Sequence, residues 1–158
     1  RRQRQMCIRD SSYISTYYLA YSFAAVGVRF LAGRMADRIG ENQIIPWGLS
    51  LAAGGLLLVP LVHGNLLLLI VGFIFGIGHG LLFPALNAMA VRNEPYAVRG
   101  KVTGIFTGGI DAGVFCGAMI LGVIGEMAGF TALFICAGLT VLSGLYLFRM
   151  KPDYNLKR

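Results

Sequence analysis

The sequence predicts an all-α integral membrane protein with five transmembrane helices, and three observations lead to this prediction. Only 13% of the 158 residues are charged and 56% are hydrophobic, whereas a soluble domain carries about 25% charged residues. The apolar runs are continuous and close to the ~20 residues that a helix needs to cross a bilayer. The 22 glycines are typical of transmembrane helices that pack closely against one another.

Polar connections separate five apolar runs, which we interpret as spans over residues 12–31, 44–62, 66–91, 102–124 and 128–148. The preceding residues 1–11 show no apolar periodicity and no signal-peptide pattern, so we expect a non-native or disordered basic tail there. The basic residues 151–158 form a second tail after the last span.

The distribution of Lys and Arg predicts the orientation of these spans. Basic residues lie in the connections 32–43 and 92–101 and in the tail 151–158, whereas the turns 63–65 and 125–127 contain none. Cytoplasmic connections are enriched in Lys and Arg, so we expect a multi-pass protein of the inner (plasma) membrane with a cytoplasmic C-terminus. The net charge of +7 therefore reports orientation, and no nucleic-acid partner is predicted. Only the basic residues of 1–11 conflict with this pattern.

The first span carries tyrosines at every fourth position, namely Tyr13, Tyr17 and Tyr21, which places them on one face of a helix. One interpretation is an aromatic belt at the membrane interface combined with helix packing. The other is a cavity face that offers rings and hydroxyls to a substrate, with Tyr17 and Tyr21 as the lining candidates. Arg29 lies near the far end of this span, where its long side chain can reach water.

The third span combines small residues with one ionisable residue. A repeat at every fourth position predicts a face for close helix contact and comprises Gly72, Gly76 and Gly80. His79 falls near the middle of the span, and a histidine is costly in lipid, so it must face a cavity or a polar partner. It is either a packed, hydrogen-bonded residue or a functional group. Asn87 is a weaker candidate of the same kind, for the lining of a cavity.

The fourth span contains a carboxylate and many glycines. Asp111 lies ten residues after Lys101, roughly 15 Å along a helix, which puts it near the middle of the bilayer. A carboxylate at that depth is paired, neutralised or in a water-filled cavity. Asp111 and His79 are therefore candidates for proton coupling or substrate contact, with a structural ion pair as the alternative for Asp111. Close helix packing is also predicted for Gly109, Gly113 and Gly117.

No pattern of enzyme chemistry is present in the sequence. The three cysteines are odd in number and have no metal-ligand spacing. His79, Asp111 and Glu126 are scattered in depth, and no nucleophile–base arrangement appears. We therefore predict no enzymatic activity, no cofactor and no metal.

The connection after the first span, Gly33-x-x-x-Asp37-Arg38-x-Gly40, resembles the cytoplasmic loop signature of the major facilitator superfamily. That signature occurs twice in the family because the fold consists of two related six-helix halves. Glu41 follows the last glycine, where basic residues are usual, and this departure is common in the weaker second copy.

Three further segments support the resemblance. They are similar to parts of helices ten and eleven of drug- and sugar-exporter-like members, and they comprise Phe83-Pro84-Ala85, Arg99-Gly100-Lys101 and the run 106–117. The resemblance covers 12–150. It implies helices eight to twelve, which form most of the C-terminal half-bundle. The competing placement is helices two to six, although the third span lacks the arginine typical of the fourth helix.

The resemblance implies secondary active transport by alternating access, and we expect proton-coupled efflux of small organic molecules. The alternatives are a proton-coupled uptake symporter of the same superfamily or a non-transporting membrane scaffold. The implied partners are the lipid bilayer, a small-molecule substrate and the missing N-terminal half of the same transporter. Within the signature, Gly33 would allow close helix approach, and Asp37 with Arg38 would form a latch that favours one conformation.

Overall fold

A computed structural model describes residues 15, 17–30, 40–62 and 64–150. Residues 17–30 are helical and are called α1 here. The chain then forms α2 (Glu41–Leu58), a 3₁₀ turn (Val59–Leu61), α3 (Asn65–Val91) and α4 (Tyr96–Met150). The segments Glu41–Leu61, Leu66–Val91 and Tyr96–Met150 are each long and apolar enough to cross a membrane. The all-α membrane class is thereby confirmed, and the number of five spans stays a prediction.

The 55-residue helix α4 is broken at Gly129, whose backbone angles are φ 82° and ψ 172°. The break separates a first arm, 96–128, from a second arm, 130–150, and each arm exceeds the ~20 residues that cross a bilayer. The bend is tight, because a Cβ atom on Gly125 of the first arm would lie 2.8 Å from Leu133 Cδ1 of the second. We placed this connection at 125–127, yet those residues are helical. The break falls at Gly129 because a positive φ is readily adopted only by glycine.

Helix α2 lies between α3 and the second arm of α4. It runs antiparallel to α3, since Gly48 is beside Gly78 and Gly55 is beside Phe75. A Cβ atom on Gly78 would lie 2.5 Å from the backbone nitrogen of Ala52. The two backbones therefore approach so closely that only glycine fits at this position.

The second arm of α4 packs on the opposite side of α2. A Cβ atom on Gly138 would lie 2.6 Å from Leu57 Cδ2. Ten residues later, Phe148 packs against the buried core at the other end of α2, which is formed by Ile44, Ile45, Leu81 and Ala85. The second arm is thus antiparallel to α2 and parallel to α3.

All described basic residues except Arg29 gather at one end of this bundle. Arg92 follows α3 directly, and its Nη1 lies 2.6 Å from Oε2 of Glu41 at the start of α2. Arg149 follows Phe148 at the end of the second arm, and the first arm begins at this same end with Arg99 and Lys101. The 3₁₀ turn, which contacts α4, lies at the opposite end.

Candidate functional site

The candidate site lies on the seam between α1 and α3, where glycines bring the two backbones together. A Cβ atom on Gly72 would lie 2.9 Å from the carbonyl oxygen of Tyr17. A Cβ atom on Gly76 would lie 2.5 Å from the carbonyl oxygen of Tyr21. A Cβ atom on Gly80 would lie 2.9 Å from the carbonyl oxygen of Ala25. The two helices therefore run parallel and in a fixed register, which aligns their polar side chains.

Tyr21 and His79 meet across this seam. The Tyr21 hydroxyl lies 3.0 Å from His79 Nδ1, and the tautomer of the imidazole decides which group donates the hydrogen bond. The ring of Phe75 stacks on both partners, with centroid distances of 5.5 Å to Tyr21 and 5.9 Å to His79. Both polar side chains are half-buried, so they are oriented by their neighbours and still accessible.

Arg29 lies over an aromatic ring farther along the same seam. Its guanidinium carbon is 5.7 Å from the centroid of Phe83, within the ~6 Å of a cation–π interaction. The Phe83 ring is in turn 6.1 Å from that of Phe106 in the first arm of α4. Phe83 is eight residues before Val91, roughly 12 Å along α3 at 1.5 Å per residue. The Arg29 side chain is exposed, and its reach to water at the loop end stays a prediction.

Tyr17 and Asn87 occupy the two ends of the seam. Tyr17 is half-buried against Gly72, and its ring makes an edge contact with that of Tyr18 at 5.7 Å. Asn87 is one turn beyond Phe83 on α3, and its Oδ1 is buried with no hydrogen-bond partner among the described residues.

Asp111 does not join this cluster. Its side chain is exposed on the first arm of α4, and the structure gives it no hydrogen bond or ion pair with any described residue. The neighbouring Gly109, Gly113 and Gly117 have nothing within 4 Å of a Cβ position. The described part of the chain therefore brings His79 to Tyr21 but leaves Asp111 and this glycine face uncovered.

The loop signature is described only at its last position, because Gly33, Asp37 and Arg38 lie outside the described residues. Gly40 has φ 86° and ψ 144°, and its carbonyl oxygen accepts the N–H groups of Gln43 and Ile44 at 3.2 Å and 3.3 Å. This backbone conformation suits glycine, so the final glycine of the signature sets how the chain enters α2.

Phe75 and Phe83 were absent from our candidate site residues. They recur with the candidates His79 and Asn87 at every fourth position of α3, and this spacing is a signal for one continuous face. The ion pair of Glu41 with Arg92 joins residues far apart in sequence, so no local pattern points to it. Within the described ranges, no three His, Cys, Asp or Glu residues are grouped as metal ligands.

Comparison with known proteins gives matches over most of the chain. A family model described as Major Facilitator Superfamily matches residues 9–158. The multidrug resistance protein MdtG of Klebsiella pneumoniae is 31% identical over 117 residues, which cover 72% of this chain and 28% of that protein. "Probable anion transporter 3, chloroplastic" of Arabidopsis thaliana is 28% identical over 123 residues, covering 77% of this chain and 23% of that protein.

An uncharacterized MFS-type transporter of Pseudomonas aeruginosa is 28% identical over 128 residues, which cover 81% of this chain and 32% of that protein. The chain thus spans between 23% and 32% of the length of these relatives. No solved structure matches the chain at a significant level.

Proposed function

This chain belongs to the major facilitator superfamily, and from this premise we propose that it is part of a secondary active transporter that works by alternating access. We place it in the C-terminal half, as helices eight to twelve. The observation that carries the proposal is a polar and aromatic seam, with Tyr21 hydrogen-bonded to His79, inside helices that are otherwise apolar. A membrane helix keeps such residues where a cavity or a translocation path needs them.

We assign proton coupling or substrate contact to His79 and Asp111. The contact of His79 with Tyr21 supports its role, because the hydroxyl orients the imidazole and exchanges hydrogen-bond direction with it. Asp111 is supported by its depth along α4 and by its lack of a fixed partner among the described residues. Tyr17 and Asn87, at the ends of the seam, are proposed to line the cavity.

The signature loop acts in this proposal as the conformational latch on the cytoplasmic side. Gly33 allows close helix approach, whereas Asp37 and Arg38 supply charges whose contacts differ between the two states of the transporter. The uncovered face of Gly109, Gly113 and Gly117 is supported as a contact for helices of the N-terminal half, because small residues suit close helix approach. The C-terminus is cytoplasmic in this arrangement, in the inner (plasma) membrane.

We propose proton-coupled efflux of small organic molecules as the direction of transport, and the named multidrug resistance relative supports it. The relative named as an anion transporter supports the second candidate, an uptake symporter of the same superfamily. A scaffold protein would not need the polar seam. The relatives are named as transporters, in agreement with the prediction of no enzymatic activity.

Vesicles that contain the full-length protein test the proposal. We expect substrate-dependent proton flux, and we expect Asp37→Asn to lower transport while the protein still inserts into the membrane. Asp111→Asn should weaken the pH dependence of transport, because an amide does not titrate. Glu126→Gln is the matched control, since Glu126 is an exposed carboxylate close to the bend at Gly129.

The outcomes separate the roles. Vesicles without proton or substrate flux for any tested solute would contradict transport itself and favour the scaffold. Normal transport in Asp37→Asn would remove the latch role from this residue. An unchanged pH profile in Asp111→Asn, with Glu126→Gln behaving alike, would remove Asp111 from coupling.

A further inference from the structure

We propose that the substrate is an organic anion with a flat aromatic body, and that Arg29 binds its negative charge. This inference rests on the proposed transport function and names the substrate class of the same seam. Two independent features carry it: a cation that makes no ion pair with a carboxylate of the described ranges, and aromatic rings beside it on the same seam.

The charge of Arg29 is not neutralised by the described part of the protein. The one ion pair there joins Arg92 to Glu41 at the end of the bundle, whereas Arg29 contacts the ring of Phe83. A guanidinium on a membrane-spanning helix needs an anion or water near it. Its planar fork of N–H donors matches the two oxygens of a carboxylate or sulfonate.

Asp111 does not supply the missing charge. It lies more than one helical turn after Phe106, the residue of α4 that approaches Phe83, and it makes no ion pair with any residue of the described ranges. Its side chain is exposed on the first arm. Arg29 therefore keeps its charge available on the seam.

The aromatic surface next to Arg29 suits a flat ligand. Two groups of rings lie on the seam: Tyr21, Phe75 and His79 contact one another at 5.5 Å to 5.9 Å between centroids, and Phe83 contacts Phe106 at 6.1 Å. Phe83 is 41% exposed, so part of its ring is not covered by the described residues. An aromatic body stacks favourably on such rings, and an apolar pocket with a few placed polar groups is typical of small-molecule sites.

The same arrangement disfavours cations. An aromatic amine would place its ammonium group against the Arg29 guanidinium, and like charges at an interface act against the wrong ligand. The Tyr21 hydroxyl and the His79 imidazole already hydrogen-bond to each other, and neither is a carboxylate that would offset the repulsion between the ammonium group and Arg29. The site should therefore select between ligands of equal shape by the sign of their charge.

Equilibrium binding to the purified full-length protein tests this selection with three probes that share one ring system: 2-naphthoate, 2-naphthalenemethanol and 2-naphthylmethylamine. We expect 2-naphthoate to bind about tenfold or more tightly than the amine, with the alcohol between them. Arg29→Gln should lower the affinity for 2-naphthoate about tenfold and leave the affinity for the alcohol unchanged. Arg29→Lys should retain part of the preference. Arg149→Gln removes an exposed cation from the end of α4 and should leave the preference for 2-naphthoate over the amine unchanged.

The result that overturns the proposal is equal binding of the anion and the amine, binding of none of the three probes, or an equal loss for all three in Arg29→Gln. If Arg29→Gln fails to fold, the order of the affinities for the three probes, measured on the wild-type protein and on Arg29→Lys, tests the proposal instead. Vesicle transport of the same probes separates the two levels of inference. Transport of the amine alone would contradict the proposed substrate class and support the transport function. Selective binding of 2-naphthoate without any flux would support the substrate class and contradict the transport function.

Discussion

Helix α3 and the first arm of α4 carry the same small-residue spacing but have different surroundings. On α3, Gly76 faces the backbone of α1, where an added Cβ atom would lie 2.5 Å from the carbonyl oxygen of Tyr21. On the first arm, Gly113 has nothing within 4 Å of a Cβ position. The surrounding apolar side chains show the same contrast, because Val71 of α3 is 3% exposed whereas Val114 of α4 is 66% exposed.

Glycine spacing therefore predicts a face for close approach but does not identify what covers it. The α3 face is covered by helices of this chain, and the α4 face is free within the described ranges. If the proposed N-terminal half covers the second face, both helices obey the same rule of close packing. Substitutions in the full-length protein test the contacts of these helices.

The largest effect is expected for Gly76→Ala. The new Cβ would meet the Tyr21 carbonyl oxygen at 2.5 Å and the Ala24 Cβ at 2.9 Å, and overpacking of this kind costs about 1–3 kcal/mol. The thermal midpoint in detergent should therefore fall. Gly54→Ala on α2 is the control, since it has nothing within 4 Å and gains up to about 1 kcal/mol of helix propensity. Equal midpoints for the two variants would contradict the tight α1–α3 seam.

A somewhat smaller loss is expected for Gly129→Ala, at the bend of α4. Its φ of 82° is unfavourable for a residue with a Cβ atom, at a cost of about 1–2 kcal/mol. Gly122→Ala is the matched control in the same helix, because that position has open space around it and no positive φ. A midpoint for Gly129→Ala at or above that of the control would argue against the bend.

Tyr21→Phe should have a modest effect. It removes the hydroxyl that bonds His79 Nδ1 at 3.0 Å but keeps the ring that stacks on Phe75. The expected loss of unfolding free energy is about 1 kcal/mol, measured by thermal or denaturant unfolding. Tyr18→Phe serves as control, because the Tyr18 side chain is 60% exposed. A loss no greater than that of the control would show that the hydrogen bond is not maintained.

The smallest effect is expected at the start of α2, for Glu41→Gln. In its ion pair with Arg92 the arginine side chain is 58% exposed and the glutamate side chain 12%, and pairs open to solvent on one side contribute about 1 kcal/mol or less. The difference from wild type should shrink in high salt, which screens exposed charges. Glu94→Gln provides the comparison for loss of a carboxylate in the same region. A salt-independent loss would indicate a buried role instead.

The contacts along α3 were largely predictable from the sequence, because spacing along a single helix fixes which residues share a face. The repeat of Gly72, Gly76 and Gly80 indicates a close approach, and the structure has α1 there. The hydrogen bond of Tyr21 with His79 could not be predicted, because it joins residues 58 positions apart and depends on the register between α1 and α3.

The bend of α4 and the position of Arg29 show the same limit. Polarity at Glu126 suggested a connection at 125–127, whereas the backbone break depends on which glycine adopts a positive φ, and that is Gly129. The contact of Arg29 with the ring of Phe83 could not be predicted either, because it depends on how α1 and α3 are aligned.

Cysteine labelling from outside intact cells tests the central claim most directly, namely that the chain crosses the membrane repeatedly with its basic end in the cytoplasm. Leu66 and Tyr96 lie at opposite ends of the bundle and are 74% and 86% exposed, so both suit substitution by cysteine after the native cysteines are replaced. A membrane-impermeant maleimide should label Leu66→Cys in intact cells and Tyr96→Cys only after lysis. Labelling of both positions, or of Tyr96→Cys alone, in intact cells would contradict the topology and the transporter that we propose from it.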